Sequence, residues 1–446
     1  MFSTSTSWTS LPQEMKLAVI ESLSLQDTRA LSLVDRSTYN ACLPVTFKDV
    51  KIDGYSALLN FLQNVPRNYL SYIRTLQLST QSQQPTSFHL ITEQVTSLLI
   101  SCPCMEDLTL RLAGSLHHTL VSCFSLLSDL KNLTICNTAM EDISPLSERF
   151  VVFIAASVPN LQTLTLDRIS RSKLHATDLN TVFPYVPLVF DDADIPNHPI
   201  LGSNLYLPSL LRIPTLRELT IRETHLGDPR WATVPVACRL EVLDLGSCYH
   251  ENEDFNRVCI ERIMAAVGRT VDVFSLETAV SDTVFAKPSV TPMQRLRKLH
   301  ISPFFPVDNV VDTMSNLAGS PIESLSMQCF EDDVVDMCTA LEEFLSLRVE
   351  RGPDFYGKLS RIDVAVTAQD GVPPTVDDDA EAIDERLRAT KRLQEFCHDL
   401  RLASYFKNAV PLLTGPSRGR SSSFSVEPRW PSIQSVADGR GRSMTI

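Results

Sequence analysis

Three groups of residues in the chain have side chains that bind metals or move protons. Cys102-Pro-Cys104 is followed by His117, His118 and Cys123, a mixture of thiols and imidazoles of the kind zinc takes. The C-x-C spacing departs from the usual knuckle of zinc modules, and small thiols commonly serve as buried packing. Asp191-Asp-Ala-Asp194 and Asp377-Asp-Asp379 could hold a hard cation. Neither has the EF-hand spacing or its closing Glu. His225 and His300 each stand beside an apolar phrase, where a single His is ordinarily a surface or core residue rather than a general base. There is no G-x-G-x-x-G, P-loop, G-x-S-x-G or H-E-x-x-H. The sequence predicts no enzyme, no metal site and no cofactor.

The elements that would position any such residues come from a repeat. A phrase of apolar residue, two residues, apolar, one residue, apolar recurs at Phe47-Val50-Ile52, Ile73-Leu76-Leu78, Met105-Leu108-Leu110 and Leu130-Leu133-Ile135. It continues at Leu161-Leu164-Leu166, Leu216-Leu219-Ile221, Leu240-Leu243-Leu245 and Val271-Phe274-Leu276. Its last copies are Leu296-Leu299-Ile301, Ile322-Leu325-Met327 and Leu359-Ile362-Val364. Most starts are 24 to 32 residues apart; one gap of 55 has room for a further degenerate unit or an insertion, over residues 174–208. This is the leucine-rich-repeat signature. Helical segments are expected between phrases, at residues 56–65, 92–101, 148–158, 254–267, 308–317 and 333–347. Strand and helix in alternation imply parallel strands joined by crossovers. Each unit has one apolar strand edge and one apolar helix stripe, and it can bury both only by stacking on its neighbours. The expected fold class is therefore α/β: a leucine-rich-repeat solenoid over 46–366 with parallel strands on the concave face and helices outside. The phrases are degenerate, and only Leu216 to Leu226 fits the full pattern, so the solenoid should be irregular.

Composition agrees. The chain has 446 residues, 58 of them Leu and only 14 Gly, with 43% hydrophobic and 21% charged residues. It can bury a core, and it lacks the glycine of a phosphate-binding enzyme. The net charge of −13 speaks against nucleic acid as a partner. No apolar run reaches the 18 or so residues of a membrane span, so no membrane partner is expected. Eleven cysteines, odd in number and without a framework, fit reduced thiols in the cytoplasm or nucleus.

Residues 8–45 read differently. Ser10-Leu-Pro-Gln13 is a cap, a Pro in the first turn and a Gln, and a helix with Met15, Val19, Ile20 and Leu23 follows. Ser24-Leu-Gln-Asp27 begins a second helix through Leu31 and Val34, and a third runs from Ser37 to Leu43 before Pro44. Three short helices make a very small core, stable only if docked on a partner or on the repeats. Leu11-Pro12-x-Glu14, Ile20, Leu23, Asp27, Leu31 and Val34-Asp-Arg36 resemble the F-box motif. The segment from Leu43 to Ile52 is similar to the strand that often follows it in fungal members. Tyr39 stands where the family commonly has Trp.

The resemblance implies an adaptor. F-box proteins bind the Skp-type linker of SCF ubiquitin ligases, built on a cullin core, and their C-terminal domain selects the protein to be ubiquitylated. Leu11, Pro12, Ile20, Leu23, Leu31 and Val34 would then pack on the linker, with the module's own core as the other use of those residues. Outward strand positions would line the concave face and meet a protein target, among them Asp167, Glu218, Arg222, Asp244, Glu277, Lys298 and His300. A repeat scaffold that binds partners without any ligase is the alternative. Residues 367–410 are expected to form an acidic loop and a cap helix over the end of the solenoid. The Ser/Gly/Arg-rich tail, 411–446, is expected to be disordered.

Overall fold

The computed structural model describes residues 8, 11–82, 87–141, 143–176, 187–246, 248, 253–276, 293–367, 388–389, 391–392 and 395. The chain divides into two compact units, Met1–Leu296 and Arg297–Ile446.

The first unit opens with α1 (Gln13–Glu21), α2 (Leu25–Ser32) and α3 (Arg36–Thr46). Ser24 Oγ accepts the Asp27 amide at 3.1 Å and Asp35 Oδ1 accepts the Thr38 amide at 2.9 Å, which satisfies helix-start donors that would otherwise be unpaired. Ser10 lies outside the described residues, and Pro12 occupies the cap of α1. α3 continues past its expected end at Leu43 and carries Pro44 in its last turn. There a proline removes a single backbone bond, and the Phe47 amide still reaches Leu43 O at 3.0 Å. Ile20, Ala41 and Cys42 form the core, with Trp8, Leu31 and Val45 packed against it. A core this small needs support. α3 supplies it by packing on a 3-10 helix at Arg67–Tyr72, and the Phe47 ring lies 5.4 Å from that of Tyr69.

The strands of this unit are β1 (Asp49–Asp53), β2 (Thr75–Ser79), β3 (Asp107–Leu112), β4 (Asn132–Asn137) and β5 (Thr163–Asp167). A two-residue pair follows, β6 (Arg171–Ser172) and β7 (Leu188–Val189), and then β8 (Glu218–Arg222), β9 (Val242–Leu245) and β10 (Val273–Leu276). β1 to β5 and β8 to β10 pair in parallel, each with the next. β5 pairs directly with β8, Leu164 opposite Leu219. The 55-residue gap is therefore an insertion and adds no rung to the sheet. From the second phrase to the eighth, the apolar residues are buried, Leu76 and Leu78 through Phe274 and Leu276.

The crossovers are α4 (Tyr55–Asn64), α5 (Phe88–Ile100), α6 (Glu148–Ser157) and α7 (Glu253–Val267), close to the expected segments, and 3-10 helices at His118–Leu126, Leu207–Arg212 and Pro229–Ala232. They stack in turn: α4 on α5, α5 on His118–Leu126, that helix on α6, and α6 on Leu207–Arg212. Sheet and helix layers thus enclose one apolar core, as stacked repeats require.

The second unit contains β11 (Lys298–Ile301), α8 (Val310–Asn316), β12 (Ser324–Phe330), α9 (Val334–Arg351) and β13 (Arg361–Thr367), the three strands parallel. Buried Tyr356 donates its hydroxyl to Met314 O at 2.7 Å. Of the predicted cap helix, Arg388, Ala389, Lys391, Arg392 and Glu395 are helical, and Arg392 Nη2 lies 2.8 Å from Glu342 on α9. The rest of that helix, the acidic loop from 368 and the tail from 411 lie outside the described residues. Among the described residues no helix is long and apolar enough to cross a membrane.

Candidate functional site

Successive side chains of a strand point to opposite sides of its sheet. In the first unit the phrase leucines face the core, and the residues between them form lanes across the open side. Strand register puts Gln77, Thr109, Thr134, Thr165, Thr220 and Asp244 side by side in a central lane. β-branched threonines suit a pleated surface, and their hydroxyls both donate and accept hydrogen bonds. A neighbouring lane runs through Arg111, Cys136, Asp167 and Arg222.

Several of the charged groups on this side are held by neighbours. Arg222 Nη2 donates to Asp244 Oδ2 at 2.6 Å. The Cys136 thiol donates to Asp167 Oδ2 at 3.0 Å, with Arg168 Nε 3.9 Å from the same oxygen. Burial and then the Asp167 carboxylate push the Cys136 thiol up to about 11, so it stays protonated and is a donor, not a nucleophile. At β9 and β10 two buried oxygens that are neighbours in register, Asp244 Oδ1 and Ser275 Oγ, have no hydrogen-bond partner among the described residues. Buried polar atoms of that kind are uncommon and call for a physical reason.

Of the residues expected to meet a target, Asp167, Glu218, Arg222 and Asp244 lie on this face, and Glu277 falls outside the described residues. Lys298 and His300 belong to β11 in the second unit. There His300 is buried at 9% exposure, with Nδ1 3.3 Å from Ser326 Oγ, and Lys298 is half-buried. Sequence reasoning passed over Thr109, Thr134, Thr220 and Cys136. Their signal was available, because Thr109, Thr134 and Thr220 each fill the variable place between two phrase residues and Cys136 directly follows Ile135, the last of its phrase.

The N-terminal helices divide their apolar residues in two. Ile20 is buried, Leu31 packs on it, and Leu11 and Leu23 are half-buried. Pro12 and Val34 are exposed, and so are Met15, Val19, Leu25 and Leu33, with Leu33 at 86% and Val34 at 66%. Met15 and Val19 share a face of α1, being four residues apart.

The metal-type residues are regrouped. Cys102 and Cys123 are buried, and burial pushes each thiol up to about 12. Asp192 is buried and accepts from Ser147 Oγ at 2.6 Å and Ser172 Oγ at 2.9 Å. His118 Nδ1 instead lies 3.0 Å from Asp194 Oδ2. His225 is buried, its Nε2 3.1 Å from Arg171 Nη1.

No protein-family model matches the chain, and none of the curated proteins matches it by sequence. Solved structures do resemble it. The leucine-rich repeat-containing protein LegL7 from Legionella pneumophila is 11% identical, with a TM-score of 0.38, over 78% of this chain and 98% of that one. The TLR13–ssRNA13 complex is 14% identical, with a TM-score of 0.32, over 71% of this chain and 39% of that one. The repeat architecture assigned to this chain rests on its own strand registers rather than on these likenesses.

Proposed function

We propose that the chain is a protein-binding adaptor whose N-terminal module, residues 8–45, acts as an F-box on the Skp-type linker of a cullin-based ubiquitin ligase, while the open face of the repeats selects a protein target. The observation that carries this reading is the surplus of exposed apolar side chains on a module with a three-residue buried core: Met15, Val19, Leu25, Leu33 and Val34. A lone exposed leucine needs no explanation, but five such residues within a stretch of 20 mark a surface that another protein covers. The motif resemblance supplies the identity of that protein. The polar face of the sheet, with its lane of half-buried threonines, supports a second, more polar contact of the kind found at recognition surfaces. Free cysteines at all ten described positions fit a reducing compartment, the cytoplasm or nucleus.

The test is binding of the full chain to a purified Skp-type linker. A stable complex is expected, and Leu33→Asp with Val34→Asp should abolish it without unfolding the chain. Absence of a complex would leave the other role, a repeat scaffold that works without a ligase.

A further inference from the structure

We propose that His117, His118 and Asp194 form a binding site for a divalent metal ion of the zinc class, three protein donors with a fourth position open to water or an incoming ligand. One donor atom from each residue lies within 4.8 Å of the other two. It is the group of three potential ligands that the described residues assemble, and it is built from distant parts of the first unit. His117 and His118 stand at the start of the 3-10 helix His118–Leu126, and Asp194 belongs to the insertion between β5 and β8.

Two imidazoles and a carboxylate are the ligand types zinc takes in three-ligand sites, at about 2.0–2.2 Å from the metal. A tetrahedral ion with such bonds spaces its donors about 3.3 Å apart, and His118 Nδ1 and Asp194 Oδ2 are already at 3.0 Å. A metal would replace the proton they share. The other imidazole is held in place. The His117 amide donates to Thr92 Oγ1 on α5 at 3.1 Å, and its Nδ1 lies 3.1 Å from Thr119 Oγ1. Nδ1 also accepts from the Thr119 amide at 3.4 Å, so Nε2 is the nitrogen left for a metal, which would replace its proton as Nδ1 takes one up and donates to the Thr119 hydroxyl; such outer-shell bonds orient ligating histidines in known sites. The His89 ring lies 4.2 Å from that of His117 between centroids, tilted by 41°, and the His117 ring lies 4.2 Å from that of His118, tilted by 36°.

Imidazole donors favour zinc, cobalt, nickel and copper over magnesium and calcium, which prefer all-oxygen shells. The cysteines that the sequence sets beside these histidines are not part of the site: Cys102 and Cys123 are buried thiols. The site stands independently of the adaptor role, and its consequence is mechanical. A bound ion would tie the insertion to the helix layer at Asp194.

The experiment uses the full chain, stripped with a chelator and kept reduced, titrated with cobalt(II) and zinc(II). One equivalent of cobalt is expected, with d–d bands and no thiolate charge-transfer band, displaced by zinc but not by magnesium or calcium. His118→Gln and Asp194→Asn should each weaken binding by more than about tenfold, the scale of losing even an outer-shell partner. The His117→Ala, His118→Ala pair should abolish it, and Cys104→Ser should leave it unchanged. These side chains are exposed or half-buried, so the variants fold. No bound equivalent, a thiolate spectrum, or binding that survives the double histidine variant would each overturn the site.

Discussion

Ser147 Oγ donates to Asp192 Oδ2 across 2.6 Å, joining the N-cap of α6 to the insertion 45 residues later. Asp192, 3% exposed, also accepts from Ser172, and Arg149 Nε donates to its backbone oxygen at 3.2 Å. Beside it buried Glu148 accepts from the amides of Ser172 and Leu207 and lies 2.9 Å from His175 Nδ1. The insertion is thus fastened by two carboxylates rather than by periodic leucines.

Asp192→Ala should therefore cost roughly 2–4 kcal/mol, because it strands two buried hydroxyl donors. The loss should be local. Limited proteolysis between residues 171 and 206 should accelerate before the sheet melts, and equal protection in both proteins would contradict the fastening role.

Two neighbours on β8 separate core from face. Leu219 is buried and Thr220 is half-buried on the open side. Leu219→Ala should lower stability in urea by about 2–5 kcal/mol, and Thr220→Ala should stay within about 0.5 kcal/mol. If Thr220→Ala weakens target binding at unchanged stability, the threonine lane is a contact surface.

Ile20 and Val34 make the same distinction in the N-terminal module. Ile20→Ala should unfold the module and weaken linker binding together, through the cavity it leaves beside Cys42 and Ala41. Val34→Asp should leave the circular-dichroism melt unchanged and remove linker binding alone. Equal loss of stability in both variants would place Val34 in the core.

The buried thiols fix an alkaline limit. Cys102 and Cys123 have folded values pushed up by burial from the ordinary 9.0 to about 12. Between those values the unfolded chain loses the protons that the folded chain keeps. Their contribution to stability is thus full below pH 9 and lost as pH rises toward 12. Native protein at pH 8 should leave both cysteines unalkylated, and denaturation should expose them. Rapid labelling of the native chain at Cys102 would argue against the packing described.

His198 sets a limit on the acid side. Its Nδ1 accepts from the amides of Ile200 at 3.1 Å and Leu201 at 3.2 Å, and burial lowers its affinity for protons below the ordinary 6.5. A depressed value means that the unfolded chain takes up the proton first. The stability it contributes is full above pH 6.5 and falls as pH drops through the folded value. NMR titration of the ring should show a midpoint below 6.5, with the Ile200 and Leu201 amides exchanging faster once it is passed. A midpoint above 6.5 would mean that Nδ1 is not an acceptor.

Much of the architecture was legible because burial repeats. Phrase after phrase names the strand on which Leu108, Leu133, Leu164 or Leu219 is buried, and the crossovers fall near their expected places. The 3-10 helices were not foreseen, since their short apolar clusters carry no helical period. The helix end at Leu43 was placed too early, because a proline in a last turn disrupts less than one in a helix interior.

The sequence by itself determined the rungs: an apolar triplet, most copies 24 to 32 residues apart, has one way to hide its apolar edge, which is against the next triplet. Tertiary structure alone decided which polar groups meet. His118 and Asp194 are 76 residues apart, and their approach depends on how an insertion without periodic burial folds back onto the helix layer. It alone also divided Ile20 from Val34. Both are apolar at helical spacing, and only the docking of α3 against α1 and α2 covers one and leaves the other in solvent.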